Sequence, residues 1–203
     1  MGFFSGIIDR ISDTLRRRRI RNEEIRKRRA LEEKKAVEKQ IQEKKERDAL
    51  YRVGNEFEDY VKGMYSPDRF EITHRTPTND DTGGSFVGSM MLPDLCFRER
   101  STGREFWVEC KYRSQADEHG LIEWCTEEQL HRYKRTRFNS RSPVFVMIGI
   151  GGGPDSPNRV YCLNIDRINF TTLFYGTYCK NRIYLGNVSS LKQMYYIDSL
   201  SNT

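Results

Sequence analysis

The chain has 203 residues, 36% of them hydrophobic and 32% charged, with a formal net charge of +6. That length carries one domain of ordinary size plus an appendage, and no apolar run approaches the roughly 18 residues a membrane span needs. The five cysteines lack any CxxC pair and no secretory leader is visible, so reduced thiols and a cytoplasmic location are expected rather than a disulfide framework or a cysteine metal centre.

The charge is unevenly placed. Residues 1–50 hold 16 Lys+Arg against 10 Asp+Glu, whereas the other 153 residues hold 19 of each. A basic arm on a neutral domain points to an anionic partner. Residues 3–15 put Phe4, Ile7, Ile8, Ile11 and Leu15 on one helical face. Nine Arg/Lys follow between residues 16 and 29, then Glu and Lys alternate to residue 48 with many pairs at i,i+4 spacing. Proline is absent before Pro67 and glycine from residues 7 to 53, so a long charged helix is expected. Its apolar positions keep no clean heptad. MGFFSG lacks Ser or Thr at position 6 and is not a myristoylation motif.

The globular part is expected from about Leu50. YRVGNEFEDYVKGMY reads as a helix with Val53, Phe57, Tyr60, Val61 and Met64 inward. A strand near 69–75 precedes a polar loop, TPTNDDTGGS, expected to be mobile. MMLPDLCFRER and REFWVECKYR are strand-like and joined by the turn residues STG, hence a hairpin. TEEQLHRYKRTRF reads as a basic helix, SPVFVMIGI as a buried strand, RVYCLNI as another strand, with a short helix from about Asp166 and a poorly periodic tail. GIGGGP, residues 149–154, fails the G-x-G-x-x-G pattern at Pro154 and is expected to be a loop. His74, His119 and His131 lack metal-ligand spacing. The order of elements gives an α/β fold with a mixed sheet.

The chemistry concentrates in FWVECKYRS. Residues two apart on a strand share a face, so Glu109 and Lys111 point one way and Val108, Cys110 and Tyr112 the other. Asp94 follows Pro93 on the preceding strand, and the hairpin brings it beside Glu109. Two partly buried carboxylates repel unless a cation joins them, and hard oxygen ligands suit Mg²⁺ or Mn²⁺. A lysine beside that ion can hold or help deprotonate a water for phosphodiester cleavage.

Pro93-Asp94, fourteen residues, then Glu109-Cys110-Lys111 resembles the signature of the PD-(D/E)XK nuclease superfamily. GNEFEDYV places Glu58 where many members, Mrr-like and Holliday-junction-resolving enzymes among them, keep an acidic residue. QLHRY, residues 129–133, is similar to the QxxxY motif of RecB-like nucleases, which usually carry histidine at the position of Glu58. The resemblance spans roughly residues 50–165. It implies a restriction-endonuclease-like mixed sheet flanked by helices in a domain 50–203, behind a helical arm 1–49. It also implies a metal-dependent nuclease, an endonuclease acting on DNA in defence or DNA processing. Asp94 and Glu109, with the Cys110 main-chain carbonyl, would bind Mg²⁺ or Mn²⁺, and Glu58 would support the ion directly or through water. Lys111 would position the attacking water, and Gln129 and Tyr133 would orient Lys111 or touch the scissile backbone. Arg132, Lys134, Arg135 and Arg137 on the same helix, and Arg16, Arg17, Arg18 and Arg19 on the arm, would bind phosphates.

Each of these residue types also suits a plainer role. Glu109 and Lys111 fit an exposed ion pair on an edge strand, Glu58 a solvated helix residue, and Gln129 a capping box with Thr126. The arm has three readings: nucleic-acid binding, pairing with another helix in a homo-oligomer or a partner protein, and lying on an anionic membrane surface. Helix or partner docking with phosphate contacts is preferred, and the membrane surface ranks next. For the whole chain, the alternatives are a catalytically inactive nucleic-acid-binding or scaffold module and a membrane-surface-associated interaction protein.

Overall fold

The computed structural model describes residues 3–77, 92–174, 176, 182–183 and 188–199. The loop expected at 76–85 falls largely outside them, as do Met90, Met91 and Cys179. Contacts divide the chain into residues 1–50 and 51–203. One helix, α1 Phe3–Gly63, supplies residues to both units. The helix continues through residue 50, where the globular part was expected to begin. Nothing in the sequence would break it there: there is no proline, and Gly54 alone costs only about 1 kcal/mol against alanine. Exposed pairs at i,i+4 spacing line its charged part, with Arg28–Glu32 at 3.0 Å, Lys27–Glu23 at 3.5 Å and Lys39–Glu43 at 3.6 Å. Each adds a few tenths of a kcal/mol at most. Among the described residues, no helix is long and apolar enough to cross a membrane.

Unit 51–203 is a mixed α/β structure. Its strands are β1 Phe70–Arg75, β2 Leu95–Glu99, β3 Glu105–Arg113, β4 Leu121–Glu123, β5 Val144–Gly153, β6 Ser156–Asn164, β7 Thr172–Phe174 and the two-residue β8 Arg182–Ile183. Its further helices are α2 Glu127–Ser140, a 3-10 turn Ile165–Arg167 and α3 Leu191–Ser199. Six strands form the main sheet in the order β1-β2-β3-β5-β6-β8. Of these neighbours, β3 and β5 run parallel and the rest antiparallel. A parallel pair needs a crossover of a dozen residues or more, and β4 with α2 provides it. β4 also pairs antiparallel with β7 as a separate two-stranded ribbon.

The hairpin between β2 and β3 is present. The Glu99 carbonyl accepts from Thr102 N at 3.3 Å and Gly103 N at 2.7 Å, and Gly103 takes the left-handed conformation at φ +70° that glycine tolerates best. The Gly-rich run is not a free loop. Gly152 and Gly153 continue the β5 ladder opposite Pro157 and Ser156, and Gly151 and Gly152 have φ of +67° and +70°. Earlier in β5, an added Cβ at Gly149 would collide with the Phe57 ring, so glycine lets α1 lie against the strand.

The sheet has apolar cover on both faces. One face packs Phe106, Val108, Phe145 and Met147 against Phe57 and Val61 of α1 and Leu191 and Met194 of α3. The other packs Val144, Val146 and Ile148 against Leu130 and Tyr133 of α2, with Trp124 and Ile165. Full burial of such side chains is worth about 1.5–3 kcal/mol each, so both faces are committed to the fold.

Candidate active site

The β2–β3 register fixes the centre of the site. Leu95 pairs with Val108 and Cys96 with Trp107, so the same register carried one residue further sets Asp94 opposite Glu109. Cross-strand partners share a sheet face. The Asp94 side chain is held there by a bond from Cys110 N to its Oδ2 at 2.7 Å. Thr76 anchors the segment from the end of β1, donating from N to the Asp94 carbonyl at 2.8 Å and from Oγ1 to the Pro93 carbonyl at 2.9 Å.

Glu109 lies on a central strand, not an edge, and is only 2% exposed. An exposed edge-strand ion pair is thereby excluded. Its Oε1 takes Lys111 Nζ at 2.5 Å and the Tyr133 hydroxyl at 2.6 Å. Lys111 retains 18% side-chain exposure, against 2% for Glu109. Tyr133 comes from the buried face of α2, where Leu130 and Thr136 also point inward.

Electrostatics follow from this crowding. Burial, then the charge of Glu109, pushes the Asp94 carboxyl up to about 8 from its ordinary 3.8, against the opposing pull of Lys111 and the Cys110 amide. Burial would lower the Lys111 pKa, but the charges of Glu109 and Asp94 outweigh it and raise the ammonium above its usual range. Lys111 is thus a cation near neutral pH. Burial and the Glu109 charge raise the Tyr133 hydroxyl, which stays a donor. Cys110 is buried, with its thiol pushed well up by burial, as expected for a core residue.

Glu58 is buried, which excludes a solvated helix role. Its Oε1 accepts from Arg75 Nε of β1 at 2.8 Å, and Lys62 lies 3.8 Å away. Burial nonetheless raises its pKa, with Arg75 opposing. Glu58 is close enough for its charge to add to the rise at Asp94, yet its own oxygen is already shared between two cations. Arg75 is a neighbour of Glu58 that the sequence does not reveal, because the pairing is set by the β1–α1 packing and no local motif announces it.

Gln129 is occupied by its helix end. Thr126 N donates to Gln129 Oε1 at 3.0 Å, and Gln129 N donates to Thr126 Oγ1 at 3.2 Å, a complete capping box. Of the two residues expected to orient Lys111, Tyr133 reaches the site through Glu109 and Gln129 serves the cap. The basic residues of α2 also divide. Lys134 bonds Asn169 Oδ1 at 3.0 Å and Arg137 bonds Asp166 Oδ2 at 3.0 Å, tying α2 to the 3-10 segment. Arg132 is half-buried, with its guanidinium carbon 5.9 Å from the Tyr133 ring centre. Arg135 is exposed, as are Arg16, Arg17, Arg18 and Arg19 on the arm.

The donor set suits a hard divalent cation in type but is small. Two carboxylates sit side by side with one raised to about 8, the condition that a cation relieves. Among the described residues, no group of three or more His, Cys, Asp or Glu comes together for a metal. A bound ion would therefore rest on Asp94 and Glu109 with main-chain oxygen, substrate and water. No protein-family model matches the chain, and no curated protein is found similar to it.

Proposed function

We propose that unit 51–203 is a metal-dependent nuclease of the PD-(D/E)XK type, with a restriction-endonuclease-like core, which hydrolyses phosphodiester bonds in DNA as an endonuclease. The observation that carries the reading is the placing of Asp94 opposite Glu109 with Lys111 bonded to Glu109 on the same strand face. The order helix, strand, hairpin, helix, parallel strand around those residues supports it. So does their position where a central strand runs between two apolar layers.

Asp94 and Glu109 would hold Mg²⁺ or Mn²⁺. When bound, such an ion would offset charge at the phosphate and make a water more acidic. Lys111, kept cationic by the two carboxylates, donates rather than accepts protons. It orients the attacking water and offsets the negative charge that grows on the phosphate oxygens. Tyr133 fixes the Glu109 carboxylate, and the Glu58–Arg75 pair braces β1 against α1. The exposed arginines of the arm and Arg135 supply sequence-independent phosphate contacts.

A binding-only module is the second reading. It is favoured by the absence, among the described residues, of a third carboxylate, histidine or cysteine grouped with the pair. Incubation of supercoiled plasmid, linear duplex and single-stranded DNA with Mg²⁺, Mn²⁺ or EDTA separates the two. The nuclease reading expects metal-dependent cleavage of at least one of them that disappears in Asp94→Ala and Lys111→Ala. Intact DNA in every lane, with retained DNA binding, would favour the module.

A further inference from the structure

A groove of about 680 Å³ opens beside the carboxylate site, lined by residues of β3, β4, β7 and the start of α2. Asp94, Glu109, Lys111 and Tyr133 do not line it, but residues next to them along β3 and α2 do. Arg113 lines it and follows Glu109 and Lys111 on the same face of β3. Gln129 lines it one helical turn before Tyr133, the residue bonded to Glu109. Cys125, another wall residue, lies close enough to feel the charges of both Lys111 and Glu109.

The lining is poorly suited to phosphate. Among the described residues that line it, the only cation is Arg113, whose three bonded donors go to the carbonyls of Glu123 at 2.7 Å, Tyr112 at 2.8 Å and Trp124 at 3.2 Å. Glu123 and Asp117 bring negative charge, and Asp117 Oδ1 is already bonded by His119 N and Leu121 N at 2.9 and 2.7 Å. The remaining polar walls are the amide of Gln115 and the hydroxyls of Thr126 and Thr172, next to apolar Leu121. That is a surface for a flat, uncharged, hydrogen-bonding group.

The ribbon supplies a stacking surface for such a group. Leu121, Glu123 and Thr172 line the groove, and in the β4–β7 register Phe174 stands opposite Leu121 on the same ribbon face, at the groove's edge. Phe174 is 52% exposed on that face, and its Cε2 would lie 3.3 Å from a Cβ added at Gly120. An exposed aromatic ring beside neutral hydrogen-bonding side chains is how proteins hold unpaired bases.

We propose that this groove takes an unpaired nucleobase of the strand whose phosphate lies at Lys111, with the base on Phe174 and Leu121. The substrate is then single-stranded or locally unpaired nucleic acid rather than continuous duplex. A duplex about 20 Å across cannot enter a cavity of this size, whereas one or two nucleotides can. The inference rests on the nuclease reading for the strand's position.

Equilibrium binding in EDTA tests it without requiring catalysis. Fluorescence anisotropy would use a labelled 12-nucleotide oligothymidine, the same backbone with abasic sites throughout, and a 12-base-pair duplex. The full-length wild type should bind the oligothymidine more tightly than the abasic strand or the duplex. Phe174→Ala should weaken only the oligothymidine, by about tenfold, the loss expected when one stacked base is released. Thr172→Trp, which fills the groove at an exposed position, should do the same and leave the abasic strand unaffected. Phe138→Ala, at a ring 82% exposed on α2 and outside the groove, is the control and should change nothing. Equal binding of base-bearing and abasic strands, or unchanged binding in both groove variants, would overturn the proposal. Metal-dependent cleavage that persists beside such a result would leave the nuclease reading standing. A base-dependent signal without cleavage under any metal would sink the nuclease reading and keep the groove.

Discussion

Replacing Asp94 by Asn should stabilise the metal-free protein, and the gain should grow with pH. Asn retains an oxygen for the Cys110 amide but cannot ionise. In the wild type, burial and the Glu109 charge hold the carboxyl at about 8, against 3.8 ordinarily. The native state therefore binds a proton more tightly than the unfolded chain. Wild-type stability is full below the ordinary carboxylate range and falls as pH rises from about 4 to about 8, where the folded group finally ionises. Each tenfold change in proton affinity is worth about 1.4 kcal/mol, so the whole displacement caps the penalty near ~6 kcal/mol. Residual solvent contact of the half-buried Asp94 reduces it, and about 2 kcal/mol at pH 8.5 is the expected difference. Urea unfolding in EDTA at pH 5, 7 and 8.5 would measure it. The Asp94→Asn variant should match the wild type closely at pH 5 and be clearly more stable at pH 8.5, and millimolar Mg²⁺ should narrow the gap by stabilising only the wild type. A difference independent of pH, or a variant destabilised at pH 8.5, would refute the electrostatic account of this site.

Lys111→Met should lower metal-dependent cleavage by about a hundred- to a thousandfold by removing the donor at the reacting centre, and should cost about 3–5 kcal/mol in the metal-free protein by leaving the buried Glu109 without its cation; single-turnover cleavage assays and a urea melt in EDTA would read both. Tyr133→Phe leaves the buried Glu109 without its hydroxyl donor and should cost about 1–2 kcal/mol, seen as a lower urea midpoint, with a cleavage loss smaller than that of the lysine variant. Thr126→Ala and Gln129→Ala should each cost about 1 kcal/mol and be non-additive in the double variant, since one capping box holds both; additive losses on a thermal melt would give Gln129 a separate role. Gly149→Ala should destabilise by about 1–3 kcal/mol by forcing Phe57 away from β5, and an unchanged melting temperature would contradict that packing.

The candidate site was legible because its residues lie on two adjacent strands joined by a short turn. Strand alternation fixes which side chains share a face, and hairpin register fixes which residue stands opposite Asp94. Tyr133 was named only through the resemblance of QLHRY to the QxxxY motif, since nothing in the helix's own pattern marks a bond to Glu109. The Glu58–Arg75 pair was not, because it joins α1 to β1 through tertiary packing alone. The groove walls were also hidden: β4 and β7 are three-residue strands, too short for periodicity to register, and they pair across 48 intervening residues. Gly151–Gly153 resembles a loop because glycine normally breaks strands, yet here the run continues the ladder into the β5–β6 turn. The helix α1 runs on past residue 50 because a change in composition is not a change in backbone preference, and only a breaker or a cap would end it. The tail looks aperiodic because β8 has two residues and α3 nine, the latter held by Glu99 Oε1 accepting from Leu191 N at 2.9 Å.

The most direct test of the central claim is Mn²⁺ binding followed by electron paramagnetic resonance in wild type, Asp94→Asn and Glu109→Gln. The account predicts one saturable ion per chain in the wild type and at least tenfold weaker binding in each variant, with Thr126→Ala retaining wild-type affinity. No saturable binding, or equal binding in all four proteins, would contradict a metal site on this carboxylate pair.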